Sequence, residues 1–83
     1  MRISIIEDDK GFWNLVRMRS EGKEPIVRLN GELVHYVQTA DDTIGYVKYC
    51  REVEGKPHFD QASEEWDYVE EFGVVTINTR YLK

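Results

Sequence analysis

Nucleophilic chemistry in this 83-residue chain would fall to its one cysteine, Cys50, with His35 or His58 as the base. A thiol nucleophile needs a base within hydrogen-bond reach, and neighbouring strands are one way to bring these residues together. Cys50 reads more simply as a small buried hydrophobe, and no Gly-x-Ser-x-Gly turn offers another nucleophile. His35, His58, Asp41, Asp42 and Asp60 are metal-ligand types at no recognised ligand spacing. The Asp41-Asp42 pair is better explained as turn chemistry, and no EF-hand loop is present. The six glycines are scattered singly, which rejects a phosphate-cradling loop. Sixteen acids always place some pair at glycosidase spacing, but so short a chain leaves little room for a water-excluding pocket. The expectation is a protein that is not an enzyme and carries no cofactor or metal.

The stretch with functional content is acidic. From His58 to Asn78 there is no Lys or Arg, whereas Asp60, Glu64, Glu65, Asp67, Glu70 and Glu71 are all carboxylates. Trp66, Tyr68 and Phe72 are interleaved with them. Trp and Tyr are common interface anchors, and spaced carboxylates steer a basic partner toward the surface. Glu64, Glu65, Trp66, Asp67, Tyr68, Glu70 and Glu71 are therefore the candidate partner-binding residues. The partner class they suit is a basic protein, such as a nucleic-acid-binding enzyme whose groove the carboxylates would occupy in place of phosphates. The competing interpretation is a solubilising loop whose aromatics cap a sheet.

The charge balance agrees. Residues 1–40 hold six acids and six bases, and residues 41–83 hold ten acids and five bases, so the second half carries the whole net charge of −5. Such a chain is repelled by nucleic-acid phosphates, and direct nucleic-acid binding is not expected. A single cysteine excludes an internal disulfide framework and suits a reducing compartment. The N-terminus turns acidic within seven residues, unlike a signal peptide. Apolar runs never exceed two residues, far below the roughly 20 needed to span a bilayer. A soluble cytoplasmic protein is the expectation.

The elements that must position these residues read as β. Asn30-Gly31 between β-branched runs is the strongest hairpin signal, because a two-residue type I′ turn needs positive φ at both central positions. Direct pairing sets Leu29 opposite Glu32, Arg28 opposite Leu33, Val27 opposite Val34 and Ile26 opposite His35, in a return strand running to Gln38. Val27, Leu29, Val34 and Tyr36 then form the core side, with Ile26, Arg28, Leu33, His35 and Val37 on the other. Arg2 to Glu7 reads as a strand. Asp8-Asp9-Lys10-Gly11 suits a turn with Gly in a left-handed position, returning through a strand over Phe12 to Arg19. A helix capped by Asp9 and stopped near Gly22 satisfies the same apolar spacing.

Thr39 to Thr43 reads as a turn cluster, and Gly45 as either a positive-φ position or a bulge opening a strand over Tyr46 to Val53. Glu54 to Pro57 is another turn, with brief pairing at His58-Phe59. Asp60 to Glu71 is either a short helix capped by Ser63, with Trp66 and Val69 inward, or an ordered acidic loop. Gly73 to Asn78 is a final strand. The sum is a single domain over 1–83, mainly β or α+β with one short helix, built as an antiparallel sheet or meander of five to six strands.

Taken together, Leu29-Asn30-Gly31-Glu32, Ala40-Asp41-Asp42, Gly45-Tyr46-Val47, Gly55-Lys56-Pro57 and Gly73-Val74-Val75-x-Ile77 resemble the layout of small uncharacterised tailed-bacteriophage proteins. The resemblance covers roughly residues 26–78; the acidic Trp66 segment and the N-terminal part have no counterpart in it. It implies a phage origin, hence a host-cytoplasmic location, and no particular chemistry; together with the acidic aromatic stretch, the expectation is a phage-encoded accessory or inhibitor protein. The alternative is a minor virion or connector component that self-associates through the Ile26/Leu33/Val37 side or through an edge strand.

Overall fold

The computed structural model describes residues 1–82. Its chain order is β1 (Arg2–Ser4), α1 (Phe12–Ser20), β2 (Lys23–Leu29), β3 (Glu32–Leu33), β4 (Val37–Asp41), β5 (Tyr46–Cys50) and β6 (Glu52–Val53). There follow β7 (Lys56–Pro57), β8 (Phe59–Asp60), β9 (Glu65–Trp66), β10 (Tyr68–Phe72) and β11 (Val75–Tyr81). Sheet A has the strand order β1-β4-β5-β10 and sheet B the order β11-β2-β3, while β6-β7 and β8-β9 are separate two-stranded hairpins. All pairs are antiparallel. This is the expected mainly β fold with one short helix.

The Asn30-Gly31 hairpin forms as its residues dictate, with φ of 51° and 85° and the pairs Leu29↔Glu32 and Arg28↔Leu33. It is shorter than expected. Val34 donates to the Val27 carbonyl at 2.9 Å, and Tyr36 then takes a positive φ of 56° that turns the chain away. No strand continues to Gln38 beside β2; the chain crosses to sheet A as β4. The expected turn at Thr39 and Ala40 is therefore overturned: both are buried in mid-sheet, Ala40 lying between Ile3 of β1 and Val47 of β5. Val37 packs on the core, while Tyr36 is exposed.

Residues 12–20 are helix, so the strand over Phe12 to Arg19 is overturned as well. Two local anchors decide it. Asp9 accepts from the Gly11 amide at 2.7 Å and grips the Arg2 guanidinium through both carboxylate oxygens at 2.8 Å, which closes the turn against β1. Gly11 has an ordinary φ of −83°; it is glycine because a Cβ there would meet the Arg2 main chain at 2.8 Å. At the far end Gly22, with φ of +74°, donates to the Arg19 carbonyl and stops the helix. Nine residues are marginal as an isolated helix. Burial of Leu15 and Met18 holds it, at about 1.5–3 kcal/mol per fully buried side chain. They join Ile3, Val27, Ala40, Val47 and Val75 in one core between the two sheets.

Asp60 to Glu71 is neither helix nor loop. It forms β8-β9 and then β10, the outer strand of sheet A, and Trp66 points outward with 49% exposure. No described helix is long and apolar enough to cross a membrane.

Candidate functional site

The acidic stretch is positioned by a junction of three hairpins. Arg51, His58 and Asp67 separate the β5/β10 ladder from the β6-β7 and β8-β9 hairpins. The Arg51 amide donates to the Asp67 carbonyl (2.7 Å), the Asp67 amide to the His58 carbonyl (2.9 Å), and the His58 amide to the Arg51 carbonyl (2.8 Å). The three bonds close a ring that satisfies the main chain where the strands part. An Arg51–Asp67 ion pair at 3.0 Å braces it. Hairpins with two-residue strands are unstable alone, so this ring and the stacking of Phe59 on Trp66 (centroids 5.2 Å, 82°) hold the β8-β9 arm in place.

Cys50 sits beneath the ring, 4% exposed, and its thiol donates to the His58 carbonyl at 3.4 Å and the Arg51 carbonyl at 3.7 Å. His35 and Cys50 border a common cleft of about 270 Å³ with Tyr49, Glu52 and Glu71. The thiol hydrogen is nonetheless directed at two main-chain carbonyls, and neither can take the proton from it. The pairing of Cys50 with a histidine base does not form, and the cysteine serves the junction. Among the described residues, no group of three or more His, Cys, Asp or Glu is placed to hold a metal ion.

The seven candidate contacts separate into two sets. Glu70 accepts from the Tyr46 hydroxyl at 2.6 Å, and Glu71, half-buried on the inner side of β10, accepts from Tyr49 at 3.0 Å. Burial, followed by the bond to Glu70, pushes the Tyr46 phenol up to about 12, and burial beside Glu71 raises Tyr49. Both tyrosines thus remain donors to carboxylates across the neutral range. Asp67 is held by Arg51. These three acids belong to the architecture.

Glu64, Glu65, Trp66 and Tyr68 are the exposed set. Glu65 lies directly opposite Asp60 in the β8-β9 register, and no described ion pair involves Asp60, Glu64 or Glu65. Like charges facing each other across strands oppose folding, so this arrangement costs stability. Trp66 and Tyr68 line an apolar cleft of about 220 Å³ with Tyr36, Ile5, Val37 and Pro57, and Cys50 lies at its base. Lys48 is placed over the Tyr68 ring at 5.5 Å. The cleft is a shallow, open, aromatic-lined seat that suits one apolar or cationic side chain.

Sequence reasoning missed Tyr36, Ile5 and Pro57 as part of this surface. They come from three segments far apart in the chain, and no local pattern links them. Comparison of the chain with protein-family models, curated proteins and solved structures finds no match.

Proposed function

We propose that this chain is a non-enzymatic protein-binding module that captures a basic partner on the β8-β9 arm and the adjoining Trp66/Tyr68 cleft. The observation that carries it is one exposed arm that presents Glu64 and Glu65, neither in a described ion pair, together with a half-exposed Trp66 that lines an apolar cleft. A surface that breaks the like-charge rule and exposes its largest aromatic side chain bears a cost that a partner would offset. An aromatic anchor seated in the cleft would supply affinity, and the carboxylates would supply steering and selectivity for Lys- or Arg-rich surfaces. On this reading the chain is an accessory or inhibitor protein, of phage origin in line with its turn layout, that occupies the basic groove of a host nucleic-acid-binding protein.

The test is affinity capture from host lysate, washed at low and high salt, with wild type, a Glu64→Lys/Glu65→Lys variant and Trp66→Ala. The expected result is a nucleic-acid-handling protein held by wild type at low salt, released at high salt, and lost from both variants. The melting temperature should hold in the Glu64→Lys/Glu65→Lys variant, which decides the charge reading. Trp66→Ala also loses its stacking on Phe59 and is compared at a temperature where circular dichroism shows it folded. Asp67 is left intact because its reversal would break the Arg51 pair and confuse binding with folding. Equal capture by all three chains would refute the reading.

A further inference from the structure

Each sheet has two outer strands, and three of the four are blunted against pairing with another chain. β1 has three residues and β3 has two, and β10 carries Glu70 and Glu71. β11 is different: it has seven residues, Val-Thr-Ile-Asn-Thr-Arg-Tyr, rich in β-formers, with no carboxylate, no proline and one charge. Short edges, charges and prolines are the usual protections of an exposed edge, and β11 has almost none.

The hydrogen-bond parity shows which groups it offers. At the ends of β11 the Asn30 amide donates to the Val74 carbonyl, and the Leu82 amide donates to the Gly22 carbonyl. On the other side of β2, Val34 donates to Val27, the register partner of Ile77. Even-numbered residues of β11 therefore bond to β2, and the N–H and C=O groups of the odd ones point away from it. Pro25 in β2 fits this parity: it lies opposite Thr79, where no bond to β11 is made. Val75 is 5% exposed, so its groups are covered, which leaves Ile77, Thr79 and Tyr81 as the accessible row.

We propose that β11 pairs antiparallel with β11 of a second copy of this chain, with the two-fold axis at Thr79. The interface is isologous, as a two-fold dimer requires. In that register Thr79 faces its own counterpart, Ile77 faces Tyr81 of the other copy, and Asn78 faces Arg80. Thr–Thr and aromatic–β-branched pairs are favourable across strands. Tyr81, 74% exposed in the single chain, gains an apolar neighbour. Arginine avoids arginine, and the acidic arm takes no part. Three outward residues per copy exchange their main-chain bonds, and the two three-stranded sheets become one of six strands. The inference is independent of the acidic cleft, since the two surfaces share no residue.

The test is light scattering after size exclusion over a wide concentration range. Wild type is expected at twice the chain mass of 9.8 kDa. Thr79→Lys and Thr79→Asp each place like charges together at the axis and should run at the single-chain mass, while mixing the two should restore the dimer. Thr79→Pro removes one outward N–H, leaves every β2 bond intact, and should also be a monomer with unchanged circular dichroism. The proposal is overturned by a wild-type monomer at the highest soluble concentration, by an oligomer insensitive to these variants, or by a Lys/Asp mixture that stays monomeric.

Discussion

β10 and β11 are joined by only two residues, and both are outer strands, yet their side chains treat the open edge in opposite ways. β10 reads Tyr-Val-Glu-Glu-Phe, and its two carboxylates are fixed by Tyr46 and Tyr49 of the neighbouring strand. β11 carries Thr, Asn and Ile at comparable positions and leaves its odd-numbered main-chain groups without a described partner. Backbone pairing is sequence-independent, so only side chains can tell a foreign strand to stay away. The glutamates of β10 do so, although the tyrosines of β5 hold them. On the two proposals made above, neighbouring segments take different company: a basic partner on the arm that leads into β10, an identical strand on β11.

The most damaging way to break this contrast is to detach β10. Gly45 has φ of +69°, and a Cβ there would collide with the Gly73 carbonyl, whose own amide bonds back to Gly45 at 2.9 Å. Gly45→Val should cost about 3 kcal/mol or more, from left-handed strain together with a main-chain clash. Denaturant unfolding would measure it. A loss under about 1 kcal/mol would mean that β5 and β10 do not need this close approach.

A second variant converts one edge into the other. Glu70→Thr with Glu71→Val removes both carboxylates from β10 and leaves a β-rich, uncharged edge. The chain would then have two open edges, and two-fold pairing at one would no longer close the assembly. Sedimentation velocity should show species larger than a dimer, growing with concentration. An unchanged distribution would show that the glutamates are not what protects β10.

The smallest effect sharpens the role of the tyrosine clamps. Tyr46→Phe deletes the 2.6 Å bond to Glu70 and should cost about 1 kcal/mol at neutral pH. Its pH dependence has a definite sign. The folded-state phenol is raised from the ordinary 10.0 to about 12, so its contribution is full below pH 10 and disappears as pH climbs through 12. Wild type should lose stability across that window, and the phenylalanine variant should lose less. Thermal melts at pH 9, 10.5 and 12 would compare them, and parallel pH profiles would contradict the assignment.

What could be read in the residues themselves was local. The Asn30-Gly31 hairpin, the positive φ at Gly45 and the final strand after Gly73 all follow from preferences spanning a few residues. The acidic, aromatic character of residues 60–72 was plain from composition, but its conformation was not. Helical spacing and strand alternation both fit short stretches such as Phe12 to Arg19. There the choice fell to Asp9 gripping Arg2 and to the burial of Leu15 and Met18, contacts that exist only once β1 and the sheets are in place. Likewise Thr39 and Ala40 look like turn residues until strands on both sides supply their hydrogen bonds and neighbours. The three-hairpin ring and the Tyr36, Ile5 and Pro57 walls of the cleft join residues dozens of positions apart. Turn geometry is set by the φ preferences of one or two residues and so is written in the chain. Burial and long-range pairing depend on what the rest of the chain brings alongside, and only the folded arrangement decides them.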